Sequence, residues 1–369
     1  MAILELNSEA LKYNFKQLNQ YFGKHNKHWG VVTKMLCGNS LFLQEVLNLE
    51  PETVFDSRLS NLEAVRKLRP DIQTAYIKPP PKRSLKKLLK VADISFNTSV
   101  ETIRAINDLA GTLGKTHQVV IMIEMGDLRE GVMREDFVSF YGSIFELPHI
   151  EVIGIGANLN CLNGIMPSHD KLIQLSLYKE LVEAKFGKKI PWVSAGTSVT
   201  LPMLPKKLVP KGMNHFRVGE TLFFGVDLFE HKRFRNLRED VFSLKAEIIE
   251  IQEKPLQPSG PRGMNLQGEV AEDLPDDFSQ TSTRALVDIG LLDIDLDNIV
   301  PRHTDYRIDG ASSDIVVLDV GSNPSRLKVG DYIDFKVNYM GALRLLNSHY
   351  VEKQVKQREI RVPVRNSPN

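Results

Sequence analysis

The sequence predicts an α/β protein: a (β/α)8 TIM-type barrel followed by a mostly-β domain. Three observations predict it. Eight short segments rich in β-branched and aromatic residues recur up to about residue 230, with helical periodicity between them. Past about Leu228 the strand patterns follow one another without long helices. The 369 residues exceed one ordinary domain yet suffice for a barrel of about 250 residues with a second domain.

The chain opens with a strand, Ala2–Leu6, and a helix capped by Asn7 or Ser8 that places Leu11, Phe15, Leu18 and Tyr21 on one face up to about Phe22. The barrel strands are expected at Val31–Lys34, Thr53–Asp56, Ala75–Ile77, Asp93–Asn97, Val119–Met125, Val152–Asn158, Trp192–Ala195 and Phe216–Gly219. Helices are expected at Leu41–Leu49, Arg58–Leu68, Lys82–Val91, Val100–Leu113, Arg134–Leu147, Lys171–Phe186 and, more weakly patterned, Val199–Leu208. An open doubly wound sheet shares this alternation, but no G-x-G-x-x-G follows the first strand. The basic run Lys82–Lys90 keeps Leu85, Leu88 and Leu89 on one face and reads as an outer-ring helix with a solvated side, fed by the rigid turn Pro79-Pro80-Pro81.

In the second domain, strands are expected at Phe242–Ile251, Thr283–Ile289, Ile315–Val320, Tyr332–Val337 and His349–Val355. Lys254–Ser282 is rich in Pro, Gly, Asp and Gln, lacks periodicity, and reads as a long functional or mobile loop. The expected division is residues 9–230 for the barrel, and 1–8 plus 231–369 for the β domain.

Lysine and arginine number 47 against 46 acids, spread along the chain, so no nucleic-acid or anionic-membrane footprint is present. Two cysteines, Cys37 and Cys161, cannot build a disulfide framework, and a reducing cytoplasm is the simplest home. The N-terminus shows no basic-then-apolar signal pattern, and no run of about twenty apolar residues occurs. No metal-ligating set is assigned.

Chemistry is expected where barrel strands end. Gly30-Val31-Val32-Thr33-Lys34 ends in a lysine, a poor residue for a buried strand because desolvation opposes its charge. Facing a pocket, it becomes a candidate for attack on a carbonyl. Strand five leads into Gly126-Asp127-Leu128-Arg129-Glu130-Gly131, and strand six into Asn158-Leu159-Asn160-Cys161. Strand seven leads into Thr197-Ser198, and strand eight carries His215-Phe216-Arg217-Val218-Gly219-Glu220. Hydroxyls and glycine amides after strands seven and eight suit a phosphate. With a lysine on strand one they would grip both ends of pyridoxal 5'-phosphate.

Five motifs in the right order, Val32-Thr33-Lys34-x-x-Cys37-Gly38, Gly126-Asp127-Leu128-Arg129-Glu130-Gly131, Thr197-Ser198, Asn214-His215-x-Arg217-x-Gly219-Glu220 and Gly310-Ala311-Ser312-Ser313-Asp314, identify a resemblance covering nearly the whole chain. It resembles the alanine-racemase-like, fold type III pyridoxal phosphate enzymes, and within them the ornithine racemase group. The resemblance implies that Lys34 forms a Schiff base with the cofactor and then transfers a proton. It implies that Thr197, Ser198 and the amides of Gly219 and Glu220 hold the phosphate, and that Arg217 faces the pyridine nitrogen. Asn158 stands where alanine racemases carry a histidine beneath the ring, and Arg129 where they place an arginine near the substrate carboxylate. Tyr339, on a glycine-rich break after a strand, is expected at the cofactor pocket. Asp127 and Glu130 are either solvated loop acids or, for one of them, a reader of the distal amine of ornithine or lysine. His215 is expected to be structural.

Arg217 separates two readings. A permanent cation beside the pyridine nitrogen disfavours its protonation, which racemases of this fold tolerate, whereas the amino-acid decarboxylases place an acid there. One departure stands out: the stretch matching the partner tyrosine of alanine racemases is Ile289-Gly290-Leu291-Leu292-Asp293, with leucine in its place. Cys161, Ser313, Tyr339 and His349 are the candidates for a second base, and the Ser312-Ser313 stretch is expected to reach a neighbouring active site. The expected function is racemisation of a free basic amino acid by a homodimer, each β domain closing its partner's site. A decarboxylase or lyase on the same scaffold, or a non-catalytic cofactor-binding protein, are the alternatives.

Overall fold

Strands β1 (His28–Val32), β2 (Thr53–Asp56), β3 (Gln73–Tyr76), β4 (Ile94–Asn97), β5 (His117–Met122), β6 (Ile150–Gly156), β7 (Trp192–Ser194) and β8 (His215–Val218) form one parallel sheet in the computed structural model. Each pairs with its chain neighbour, β8 returns to β1, and a parallel bridge from Gly196 to Phe216 joins the last two. This is the predicted eight-stranded barrel. The structure describes residues 1–261, 263–264, 268 and 280–356. Their two compact units are Ala10–Glu239, which holds the barrel, and Met1–Glu9 with Asp240–Asn369.

The barrel fills itself from within. Val32, Phe55, Ala75, Ile94, Phe96, Val120, Met122 and Ile153 form one buried cluster with contributions from six strands. Outside it, the side chains of Asn39, Ser99 and Ser168 cap the helices Ser40–Leu47, Val100–Thr112 and His169–Phe186 by accepting from an amide one turn on. Buried Asn14 ties the helix Ser8–Lys24 down by donating to the carbonyls of Leu222 and Arg238 and accepting from the Arg238 amide at 2.7 Å.

The first strand stops at Val32 rather than Lys34. Thr33 spends its amide on the Phe55 carbonyl, the backbone turns there, and Lys34 opens a short 3₁₀ turn, Lys34–Leu36. The weak helix expected at Val199–Leu208 is a 3₁₀ turn over Ser198–Met203, with Pro202 inside it. Lys82–Val91 starts as a 3₁₀ turn and becomes α-helical only at Leu85–Val91. A five-residue helix, Glu220–Phe224, follows β8.

In the second unit, Phe242–Pro255 is the long central strand. It pairs antiparallel with Tyr332–Val337, Thr281–Val287 and the N-terminal Ile3–Asn7, which runs parallel to Glu352–Lys356. Val316–Asp319 continues the sheet from Thr281–Val287, and Ile299–Pro301 and Arg307–Ala311 are strands beyond those expected. The expected break at Tyr339 is instead a helix, Tyr339–Asn347. The Asn338 side chain caps it through the Gly341 amide, and Gly341, Ala342, Leu345 and Leu346 form its buried stripe. Most of the expected loop Lys254–Ser282 lies outside the described residues. Among the described residues, no helix is long and apolar enough to cross a membrane.

Candidate active site

Strand alternation turns His215 and Arg217 of β8, and Trp192 and Ser194 of β7, toward the barrel interior. Arg217 is 6% exposed. Its Nη1 donates to the carbonyl and hydroxyl of Ser194 at 2.5 and 2.6 Å, and its Nη2 to the Ala157 carbonyl at 3.0 Å. The guanidinium lies over the Phe96 ring at 5.2 Å. No hydrogen bond joins its Nε–H to an acceptor among the described residues, which leaves that donor open to a ligand. Burial lowers Arg217 to about 10, with Glu130 opposing the fall and Arg129 adding to it. It remains a cation at neutral pH.

His215 stacks flat on Trp192, with ring centroids 4.0 Å apart. Its Nδ1 is 2.8 Å from the Ser194 hydroxyl. Burial drives this imidazole well below its ordinary value, so it is neutral. Arg217 can only donate, so the Ser194 oxygen accepts from it and is free to pass its own proton to His215.

The loop after β5 is built by its acids. Glu124 accepts from the amides of Gly126 and Leu128, with Leu128 in the left-handed region at φ 52°. Asp127 is 1% exposed and is not a solvated loop acid. Its Oδ2 accepts from the amides of Cys161 and Leu162, and its Oδ1 from those of Asn163 and Ile165, at 2.9 to 3.3 Å. Burial pulls the carboxyl up, but those four amides together bring it below its usual value. Arg129 makes a bidentate ion pair with Glu130, which raises the guanidinium's pKa. With its amide oxygen turned toward Arg129, Asn158 accepts from Nη2 and Nη1 at 2.8 and 2.9 Å. Hydrogen bonds and chain neighbours thus run from Ser194 through Arg217, Ala157, Asn158 and Arg129 to Glu130.

Thr197 and Ser198 begin the 3₁₀ turn after β7. The Thr200 hydroxyl donates to the Thr197 carbonyl and accepts from its amide. Ser198 accepts from the Thr221 amide at 3.3 Å, and its own proton meets no acceptor among the described residues. Gly219 precedes the helix Glu220–Phe224, whose first amides have no carbonyl one turn back. A Cβ on Gly219 would stand 3.1 Å from the Val32 carbonyl oxygen and 3.2 Å from its Cβ, so the chain passes Val32 closely there. Burial raises the Glu220 carboxyl, and the charge of Lys34 works against it. Lys34 itself is exposed, and the strand that leads to it is hydrogen-bonded to the strand of Arg217, with Gly30 opposite Arg217.

Tyr339, Ser313, Leu291 and His349 belong to the second unit. Tyr339 is half-buried at the start of its helix, and Ser313 and His349 are exposed. The amides of Leu291 and Leu292 bond the carbonyls of Ser312 and Ser313, so these two stretches run side by side. Among the strand-end residues given no individual role from sequence, Ser194 and Glu124 carry the most. Ser194 was legible as the inward position two residues after Trp192. Glu124 carried no signal apart from its place at a strand end.

The fold is a parallel barrel that carries a lysine just past the end of one strand and a buried arginine on the next. Residues 6–227 match the family described as alanine racemase, N-terminal domain. An ornithine racemase from Acetoanaerobium sticklandii is 33% identical over 328 residues, 88% of this chain and 91% of the relative. A lysine racemase from Thermotoga maritima is 28% identical over 95% of this chain and 97% of its own length. The solved alanine racemase of Bartonella henselae, described with covalently bound pyridoxal phosphate, shares the fold with TM-score 0.73 and 17% identity, covering 96% of this chain and 99% of its own. The chain therefore belongs to the alanine racemase N-terminal domain family. Its activity class is amino acid racemisation.

Proposed function

We propose that the chain is a pyridoxal phosphate-dependent racemase of a basic amino acid, ornithine or lysine, and that it works as a homodimer. The observation carrying this is Arg217, a buried cation with an unspent Nε–H on the strand beside the one leading to Lys34. A guanidinium offers a hydrogen bond to an unprotonated ring nitrogen and gives no proton up to it. The donor set fits the phosphate: hydroxyls on Thr197 and Ser198 and amides at Gly219 and Glu220, with Gly219 packed too closely on Val32 to carry a side chain easily.

Pyridoxal phosphate, when bound, supplies the electron sink that acidifies the Cα–H of an amino acid. Lys34 would hold its carbonyl carbon and carry a proton at Nζ. Arg217 is held rigid by Ser194 and Ala157 and would face the ring nitrogen as a hydrogen-bond donor. Arg129 keeps one Nη1 N–H beyond its bonds to Glu130 and Asn158, and that donor orients the substrate carboxylate. Asp127 has both oxygens occupied and shapes the loop after β6, leaving the distal amine to another group. The Leu291 side chain has no acidic or basic group, so the proton on the opposite face moves through a different side chain. The basic substrate rests on the likeness to the ornithine and lysine racemases. With both cysteines free thiols, we place the protein in the cytoplasm.

The test combines an absorbance spectrum of wild type and Lys34→Ala with chiral chromatography after incubation with L-ornithine, L-lysine or L-alanine. A yellow wild type that makes D-ornithine or D-lysine, beside a mutant that does neither, is the expected result. A yellow protein that makes no enantiomer of any of the three would overturn the racemase reading. A colourless protein that takes up no added cofactor would overturn the cofactor as well. Size-exclusion chromatography reads the dimer directly.

A further inference from the structure

Lys34 stands on a turn that leaves the regular backbone path. Cys37 and Gly38, three and four residues on, lie in the left-handed region at φ 52° and 75°. Asp56 bonds the start of this turn directly and reaches its end through Asn61. Thr33, immediately before Lys34 and fully buried, donates its hydroxyl to Asp56 Oδ2 at 2.9 Å. Asp56, the last residue of β2 and also fully buried, accepts from the Arg58 amide at 2.9 Å and from Asn61 Nδ2 at 3.1 and 3.3 Å. Asn61 closes the circuit: a Cβ on Gly38 would lie 3.1 Å from its Oδ1. The partners of Asp56 are neutral, and among the described residues no Lys, Arg or His side chain makes an ion pair with it.

A buried carboxylate without a cation costs stability, and a well-packed apolar residue would serve a strand end better. Where a fold keeps such a group, the reason is sought in the site it serves. What Asp56 serves here is the backbone on both sides of Lys34. We infer that Asp56, acting through Thr33 and Asn61, is a positioning residue that fixes where the Lys34 side chain leaves the barrel. The inference rests on the reading of Lys34 as the reactive amine and names what aims it. A reacting group displaced by about 1 Å loses up to about a hundredfold in rate, so the aim of this lysine is worth an uncompensated charge.

Thr33→Val is the sharpest probe, since it keeps shape and burial and deletes only the hydroxyl. The first readout needs no cofactor: labelling of Lys34 by an acylating ester in the cofactor-free protein, relative to exposed Lys86, by peptide mass spectrometry. Loss of one buried hydrogen bond corresponds to about fivefold, so a relative rate shifted by about threefold or more is expected, with Thr33→Ser restoring it. The second readout is steady state. Thr33→Val and Asp56→Asn should lower kcat by about tenfold while KM for the amino acid stays within about twofold.

The inference falls if Thr33→Val labels Lys34 at the wild-type relative rate. It also falls if Thr33→Ser behaves like Thr33→Val, or if kcat declines only in step with thermal stability. A wild type that racemises nothing defeats the functional reading instead, and the labelling comparison still decides this one.

Discussion

Ser194 binds Arg217 twice, its carbonyl and its hydroxyl both accepting from Nη1 at 2.5 and 2.6 Å. A guanidinium gripped by backbone and side chain of one residue cannot swing away as a long exposed arginine would. Its direction is set by β7, and the charge it presents comes with the position.

Ser194→Ala removes one of those acceptors and the link to His215. A charge-assisted hydrogen bond of this kind contributes about 1.5–3 kcal/mol. We expect turnover of L-ornithine or L-lysine to fall by about tenfold or more, with far-UV dichroism unchanged. Wild-type turnover in this variant would show that the second contact is idle.

His117 makes stability depend on acid. Its Nε2 lies 2.9 Å from the Ser95 hydroxyl, and burial lowers it to about 4. The unfolded chain takes up that proton near pH 6.5 and the folded chain only near 4, so stability is full above 6.5 and lost as pH falls to 4. The difference amounts to about 3 kcal/mol. Asp56 works with the opposite sign: burial raises it to about 6, so stability falls as pH rises from 3.8 toward 6. Urea unfolding of wild type and His117→Gln at pH 7.5 and 4.5 isolates the histidine. The variant should lose about 3 kcal/mol less between the two pH values, and equal losses would refute the assignment.

Asp127→Ala strips acceptors from four amides at once. We expect a destabilisation of about 2 kcal/mol or more. Hydrogen exchange should rise sharply at Cys161, Leu162, Asn163 and Ile165 while β5 and β6 stay protected. Unchanged protection at those four amides would contradict the anchoring role.

Gly219→Ala places a methyl where only 3.1 Å separates it from the Val32 carbonyl. The expected outcome is weakened uptake of pyridoxal phosphate, read by titrating the absorbance, with β8 intact by dichroism. Unaltered uptake would remove Gly219 from the phosphate cradle.

Much of this architecture is written in the periodicity of the chain. Thr53–Asp56 and Trp192–Ser194 read as strands because they are short β-branched and aromatic runs, the composition of strands buried on both faces. What local pattern misses is tertiary in origin. Val199–Leu208 looked helical until Pro202 shortened it, and Tyr339–Asn347 looked like a break because Gly341 hides the stripe made with Ala342, Leu345 and Leu346. In the site, Arg129, Asn158 and Arg217 were legible from motif order. Asp127 was not: nothing in Gly126-Asp127-Leu128 tells of amides more than thirty residues away.

That distant anchor has a consequence for variation. The path of residues 161–165 is specified by a carboxylate outside it, through main-chain N–H groups that every amino acid but proline possesses. Side chains at Cys161 and Leu162 are therefore interchangeable without redrawing the loop that presents them, whereas Asn163 adds a bond of its own from Nδ2 to the Asp127 carbonyl at 2.8 Å. Contour and chemistry are inherited separately here, so new substituents can be tried on this stretch while its course is kept, with proline alone forbidden.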